Sequence, residues 1–160
     1  MEFYESTSTD PYYNLALEDY FFTHMDPMKD YFLLWQNDKA VIVGKYQNTL
    51  EEVDQTCVDE RGSPVARRLS GGGAVYHDLG NLNYTFIVEE DRAEAFRFEV
   101  FTKPLLAALK ELGVAAETSG RNDITIDGKK ISGSSQYFRN GRLLHHGCIL
   151  LDCDRDTLTR

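Results

Sequence analysis

The run Arg67-Arg68-Leu69-Ser70-Gly71-Gly72-Gly73-Ala74-Val75-Tyr76-His77-Asp78 sets two guanidinium groups before three consecutive glycines and a His-Asp pair after them. Glycines in a row let the backbone approach a ligand with no side chain in the way. The exposed amides of such a loop form a concavity that attracts anions. Arg67 and Arg68 add fixed positive charge, and a guanidinium grips phosphate oxygens through two parallel hydrogen bonds. This chemistry suits a nucleotide phosphate. A P-loop is excluded because no Gly-Lys-Ser/Thr follows the glycines. The dinucleotide fingerprint is excluded because the glycines are contiguous rather than spaced. A glycine-rich turn with two solvated arginines would explain the triple glycine alone. It does not explain why charge precedes the glycines and His-Asp follows them.

A second segment runs from Gly120-Arg121-Asn122-Asp123 through Ile124-Thr125-Ile126-Asp127-Gly128-Lys129-Lys130-Ile131-Ser132 to Gly133-Ser134-Ser135. It reads as a hairpin about the two-residue turn Asp127-Gly128. Regular pairing sets Ile126 opposite Lys129, Thr125 opposite Lys130, Ile124 opposite Ile131 and Asp123 opposite Ser132. Alternation then gathers Asp123, Thr125, Lys130 and Ser132 on one face and the isoleucines on the other. A lysine beside a carboxylate and two hydroxyls can form a site, although a lysine guarding an exposed edge strand gives the same pattern. The small residues Gly133 to Ser135 leave room for a ligand. His145 and His146 follow on the next strand and, being adjacent, face opposite ways. They cannot serve one site together. Strict register puts His145 on the Lys130 face, whereas a β-bulge at Gly133 would put His146 there.

Together the two segments resemble the signatures of the lipoate–protein ligase family, within the biotin/lipoate ligase superfamily. Pro11 to Glu18 also looks like the family's first helix, Leu34 to Asn37 like its early strand, and Val43 to Asn48 like the loop beyond. The resemblance implies a biotin/lipoate ligase-like fold. It implies an ATP-dependent enzyme that joins lipoate to ATP, giving lipoyl-AMP and pyrophosphate, and then passes the lipoyl group to a lysine of a carrier domain. Lys130 would be the catalytic lysine, touching both the lipoate carboxylate and the adenylate phosphate. Arg68, Gly72, Gly73, Ala74, Val75, Tyr76 and Asp123 would bind ATP or the adenylate with it. Trp35, His77 and His146 would bind lipoate beside Lys130, the family pattern favouring His146 over His145. Mg²⁺ would bridge the phosphates, with no metal held by the protein's own residues. The implied partners are lipoyl carrier domains of 2-oxoacid dehydrogenase complexes or the glycine cleavage H protein. Family ligases continue past the point where this chain stops, so residues 1–160 are read as a single, truncated catalytic domain lacking the accessory C-terminal domain. Two other readings stand beside this one. The first is an octanoyl- or lipoyltransferase of the same superfamily, disfavoured because no cysteine lies between Gly120 and Asp123. The second is a non-catalytic binding subunit that needs a separate C-terminal domain or partner chain.

The rest of the chain must position these residues. Its 160 residues suffice for one domain with a sizeable core. At 42% hydrophobic and 27% charged it reads as globular. A net charge of −9 argues against nucleic acid as a partner and makes the arginine pair a local exception. Cys57, Cys148 and Cys153 are too few for a disulfide framework or a zinc site, which implies a reducing, cytoplasmic setting. No apolar run is long enough to span a membrane, and the first residues do not form a signal peptide.

Asp10-Pro11 starts a helix with Tyr13, Leu17, Tyr20, Phe21 and His24 as its packed face. Tyr31–Trp35 and Ala40–Val43 read as a hairpin about Asn37-Asp38. A helix from Leu50 to Glu60 presents Val53 and Cys57. Val65–Leu69 and Ala74–Tyr76 flank the glycine loop as strands, and Asn83–Val88 is another strand. Ala93 to Leu112 is helical and is kinked or divided at Pro104. Asp127-Gly128 and Asn140-Gly141 turn residues 123–151 into a three-stranded meander. Trp35 and Val43 are candidates for an apolar slot, and ordinary core packing explains Trp35 equally well. The fold class is α+β, with a mixed, largely antiparallel sheet and packed helices.

Overall fold

The predicted meander is the frame of the fold in the computed structural model, which describes residues 1–89, 97–120 and 122–154. In chain order the elements are β1 (Glu2–Glu5), α1 (Pro11–His24), β2 (Tyr31–Trp35), β3 (Ala40–Val43), α2 (Thr49–Glu52) and α3 (Gln55–Arg61), then β4 (Val65–Arg67), β5 (Val75–His77), β6 (Asn81–Glu89) and α4 (Phe98–Glu111), and finally β7 (Glu117–Ser119), β8 (Asp123–Ile126), β9 (Lys129–Arg139) and β10 (Arg142–Leu150). Both meander turns have positive φ at each central residue, +50° and +72° at Asp127-Gly128 and +53° and +74° at Asn140-Gly141. That backbone matches strand twist and is open to Asn, Asp and Gly at little cost.

Seven strands form one sheet in the order β1-β2-β6-β10-β9-β8-β7, antiparallel apart from the β1–β2 edge pair. A three-stranded sheet, β4-β3-β5, carries the glycine loop between its outer strands. The α+β, largely antiparallel expectation holds. α4 packs on one face of the large sheet, with Phe101, Leu105 and Leu109 against Tyr84, Phe86, Val88, Ile124 and Leu143. α1 packs on the other, with Phe21 and Phe22 against Tyr31, Leu33, Trp35, Ile87 and Leu144. Leu15 of α1 also meets Ala40, Ile42 and Ala66 of the small sheet, so one helix joins both sheets. Among the described residues no helix is long and apolar enough to cross a membrane.

Several local expectations are corrected. Asp10 caps α1 as predicted, accepting from the amides of Tyr12 and Tyr13, but the buried stripe is Asn14, Glu18, Phe21 and Phe22, while Tyr13 and Tyr20 are exposed. Polar side chains turn inward here because they have partners beneath the helix. β2 and β3 do not form a hairpin. They lie in different sheets, because the link holds a fully buried Asn37 and a left-handed Lys39 that turns the chain out of the first sheet. The Leu50–Glu60 helix is two short helices, since Asp54 leaves the first and caps the second through the Cys57 amide. α4 begins at Phe98 and runs through Pro104 undivided. The predicted start at Ala93 lies outside the described residues, as do Arg121 and the tail beyond Asp154.

β10 and α1 are tied by one buried cation. Arg142 Nη1 donates to the carbonyls of Phe21, Phe22 and Met25 at 3.1, 3.1 and 3.3 Å, satisfying acceptors that a helix C-terminus leaves open. Arg142→Ala should lower the unfolding free energy by about 2–4 kcal/mol in urea titration, since it orphans buried carbonyls. A change within experimental error would show that the cap contributes nothing.

Candidate functional site

The hairpin β8–β9 holds one irregularity, and it decides which residues meet. Thr125 pairs with Lys130, but Ile124 pairs with Ser132 and Asp123 with Gly133, so Ile131 is an extra residue opposite the Ile124–Thr125 step. An inserted residue reverses the alternation beyond it. The bulge predicted at Gly133 is therefore at Ile131, two residues earlier. Its effect is the one required. Ser135 pairs with His146, so His146 shares a face with Lys130 and Asp123, and Ser132 moves to the opposite face with Ile124. Lys130 Nζ stands 2.9 Å from Asp123 Oδ1. A methyl group on Gly133 would come within 3.0 Å of Lys130 Cε, so a glycine there keeps the lysine's path clear. His145 faces α4, stacked on Phe101 at 4.4 Å, with Nδ1 beside Gln136 Nε2.

A cleft of about 1040 Å³ lies between the two sheets, roomy enough for an extended ligand. It is lined by Trp35, Arg68, Gly72, Gly73, Ala74, Val75, Tyr76, His77, Lys130 and His146, so nearly every predicted site residue is brought together. Asp123 stands behind Lys130 as its ion-pair partner. Val43 is buried away from the cleft, and Val41 and Ile42 take its place in the wall.

The glycine loop is anchored by its carbonyls. The Arg68 guanidinium donates to Gly71 O through Nε and Nη2, at 3.3 and 3.0 Å, to Gly73 O at 2.7 Å and to Ile42 O at 3.2 Å. Ser135 Oγ donates to Gly71 O from β9, and the Lys45 amide donates to Ser70 O. Gly72 has φ +100°, and Gly44 must be glycine because a Cβ there would collide with Gly72 O. Arg68 thus supplies cleft charge while most of its donors shape the loop. Burial lowers its pKa from the ordinary value. Arg67 points away, binding Gly44 O, Gln47 O and Thr49 Oγ1.

Two buried chains start on α1 and end at cleft histidines. Glu18 is fully buried; its Oε1 accepts from Thr85 Oγ1 at 2.6 Å and lies 2.8 Å from His146 Nδ1. His146 Nε2 is 2.5 Å from Ser70 Oγ at the base of the glycine loop, and Trp35 Nε1 donates to Thr85 Oγ1. One turn earlier, Asn14 Nδ2 reaches Asn37 Oδ1 at 3.0 Å, and Asn37 Nδ2 lies 3.2 Å from His77 Nδ1. Burial, then the charges of Arg68 and His146, hold His77 down to a pKa of about 3. Glu18, Ser70, Thr85, Asn14 and Asn37 were not identified from sequence. The available signal was Asn14 and Glu18 continuing the helical stripe of Phe21 and Phe22, a polar pair on a packed face.

His145 is also pushed down to about 3, by burial first. Both imidazoles have folded values below the unfolded 6.5, so the unfolded chain binds more protons between roughly pH 6.5 and 3. Stability should therefore fall as pH drops through that window, by about 1.4 kcal/mol per unit for each histidine. His145→Leu should remove about one proton from the slope of unfolding free energy between pH 6 and 4. An unchanged slope would show that His145 titrates normally.

A family model for the lipoyl protein ligase A/B catalytic domain matches residues 10–160. The chain is 52% identical over 143 residues to the lipoate-protein ligase LplJ of Bacillus subtilis, covering 89% of this chain and 43% of that one. It spans under half the length of the curated relatives it matches. Among solved structures it superposes, with a TM-score of 0.88 and 31% identity, on a bipartite lipoate protein ligase of Thermoplasma acidophilum described with its E2 lipoyl domain, covering 99% of this chain and 64% of that one. It also superposes on a lipoate-protein ligase A bound with ATP, with a TM-score of 0.85, 28% identity and coverage of 99% and 68%.

Proposed function

The chain belongs to the lipoyl protein ligase A/B catalytic-domain family, and we propose from that premise that it carries the site at which lipoate is activated by ATP and passed to a protein lysine. In the first step a lipoate carboxylate oxygen attacks the α-phosphorus of ATP, the bond to the β-phosphate breaks, and pyrophosphate leaves with the electron pair. In the second a carrier lysine amine attacks the acyl carbon, a C–N bond forms as the acyl C–O bond breaks, AMP leaves with the electron pair, and the amine releases a proton. Carboxylate and α-phosphate are both anionic, so their approach needs a cation between them. The supporting observation is that Lys130, set on β9 by the Ile131 bulge, lines the same cleft as a glycine loop whose carbonyls are turned into the protein. In this reading the amides of Gly72, Gly73, Ala74 and Val75 cradle the adenylate, with Arg68 adding charge and Tyr76 flanking the nucleotide. Asp123 orients Lys130. Trp35, His77 and His146 receive the lipoyl group.

Among the described residues no three His, Cys, Asp or Glu side chains stand together as a metal cage. In this reading Mg²⁺ would arrive with the nucleotide, as magnesium ions usually do. The acceptor is a lipoyl carrier domain, as the pairing of the bipartite archaeal ligase with an E2 lipoyl domain supports. That ligase also favours a second reading, in which this chain activates lipoate only together with a separate domain or subunit. A thiolate-based transferase has less support: Cys148 lines the cleft, but burial raises its pKa and keeps the thiol protonated.

Pyrophosphate release from ATP and lipoate tests the reading. Lys130→Ala should lose at least about 100-fold in rate, while Lys129→Ala, on the exposed opposite face, should stay within about twofold. Lysine 130 should not be replaceable by arginine, whose planar fork cannot sit as a point charge between two anions. Equal losses at positions 129 and 130 would refute the assignment. Activity only on adding a partner chain would select the second reading.

Gly73 offers an independent check. A Cβ there meets open space, so the protein should tolerate Gly73→Val as a fold while the branched side chain fills the cradle. Circular dichroism should be unchanged and ATP binding lost. Normal ATP affinity would remove the loop from the site.

A further inference from the structure

The chain from α1 to His77 fixes more than the position of the ring. Asn14 Nδ2 donates to the backbone carbonyls of Ser8 and Gln36, at 2.9 and 2.8 Å, and its Oδ1 accepts from Ser6 Oγ at 2.6 Å. Backbone carbonyls only accept, so the Asn14 amide has one possible orientation. Its two N–H groups are shared among these carbonyls and Asn37 Oδ1 at 3.0 Å; a flipped Asn37 would set two NH2 groups face to face, so its oxygen stays toward Asn14 and its Nδ2 toward His77 Nδ1. An amide nitrogen only donates. His77 Nδ1 must then accept, and the single proton of the neutral ring must sit on Nε2. Asn37 is fully buried and His77 nearly so, with the ring lining the cleft beside the Trp35 indole at 6.1 Å between centroids.

We propose that Asn37 is a positioning residue that locks His77 as an uncharged Nε2–H donor aimed at the acyl end of the ligand. This rests on the acyl-activation reading for the identity of that ligand. An uncharged donor can bind an acyl oxygen in the carboxylate, the mixed anhydride and the product amide alike. It does so without adding a further cation to compete with Lys130 for the attacking carboxylate. The path Ser6–Asn14–Asn37, buried at its two asparagines, sets the proton from the outside of the cleft, so the tautomer is fixed before any ligand arrives.

Asn37→Asp reverses the hydrogen bond, and Asn37→Ala removes the donor without adding a charge. The carboxylate keeps the size of the amide and the oxygen that Asn14 binds, but it replaces the donor facing His77 with an acceptor, so the ring proton should move to Nδ1. Long-range ¹H–¹⁵N correlation spectra of histidine-labelled protein report the protonated nitrogen of each ring, and the chain has only 4 histidines. His77→Gln identifies the resonance. Wild type should show Nε2 protonated, Asn37→Asp should show Nδ1 protonated, and Asn37→Ala, which has neither donor nor acceptor, should show a mixture. A non-hydrolysable lipoyl sulfamoyl adenosine should bind Asn37→Asp about tenfold more weakly than wild type, the loss expected for one hydrogen bond. Nδ1 protonation in wild type, which needs no variant to measure, would overturn the proposal. So would a proton that stays on Nε2 in Asn37→Asp, or a moved proton with unchanged affinity. If wild type itself fails to bind the analogue, the activation reading falls, while the spectra still decide whether Asn37 sets the tautomer.

Discussion

Glu18 carries its carboxylate into the interior at zero exposure, and the arrangement of the cleft depends on how that burial is compensated. A carboxylate taken out of water costs several kcal/mol unless it is hydrogen-bonded and paired. Compensation comes at Oε1, from the Thr85 hydroxyl on β6 and the His146 imidazole on β10. Both strands must therefore present those residues to α1, and the helix must keep its polar turn inward. Asn14, one turn earlier, adds the second buried group. The helix that closes one face of the large sheet thus also sets two cleft side chains. Leu15, between them in sequence, packs on the small sheet and keeps the two sheets in register with each other.

The glycine loop follows from the same economy of partners. Glycine gives freedom, and freedom alone would leave the loop without a defined shape. Three separate segments hold it by its oxygen atoms: Arg68 just after β4, Ser135 from β9 and the Lys45 amide from the turn after β3. Ser70, fully buried, ties its first residue to His146. A loop fixed this way offers donors to the cleft without rearrangement, the condition under which backbone dipoles stabilise developing negative charge most effectively.

What the sequence disclosed was local. Asp127-Gly128 and Asn140-Gly141 are turn dipeptides with a backbone requirement, so the meander was legible. Arg68, the glycines and Lys130 were legible because unusual residue types stand side by side. The β2–β3 hairpin was misread because alternation cannot report that a buried asparagine carries the chain from one sheet to another. The face of α1 was misread for a related reason: tyrosines count as apolar in a helical pattern, and glutamate does not, unless the groups waiting beneath the helix are known. Residues that act through others, such as Asn37 and Thr85, have no local pattern. Their role exists only where strands distant in sequence are neighbours in space.

The bulge at Ile131 bears on how freely this hairpin can change length. A turn at the edge of a sheet is ordinarily where insertions and deletions are best tolerated. Here a single residue gained or lost between Lys130 and Ser135 would exchange the roles of the two faces along the rest of β9. The side chains that now line a ligand chamber would be carried into the greasy interior under α4, and the reverse. Length at this point is consequently a property of the site, and a relative that differs there by one residue has to restore the parity elsewhere in the same strand.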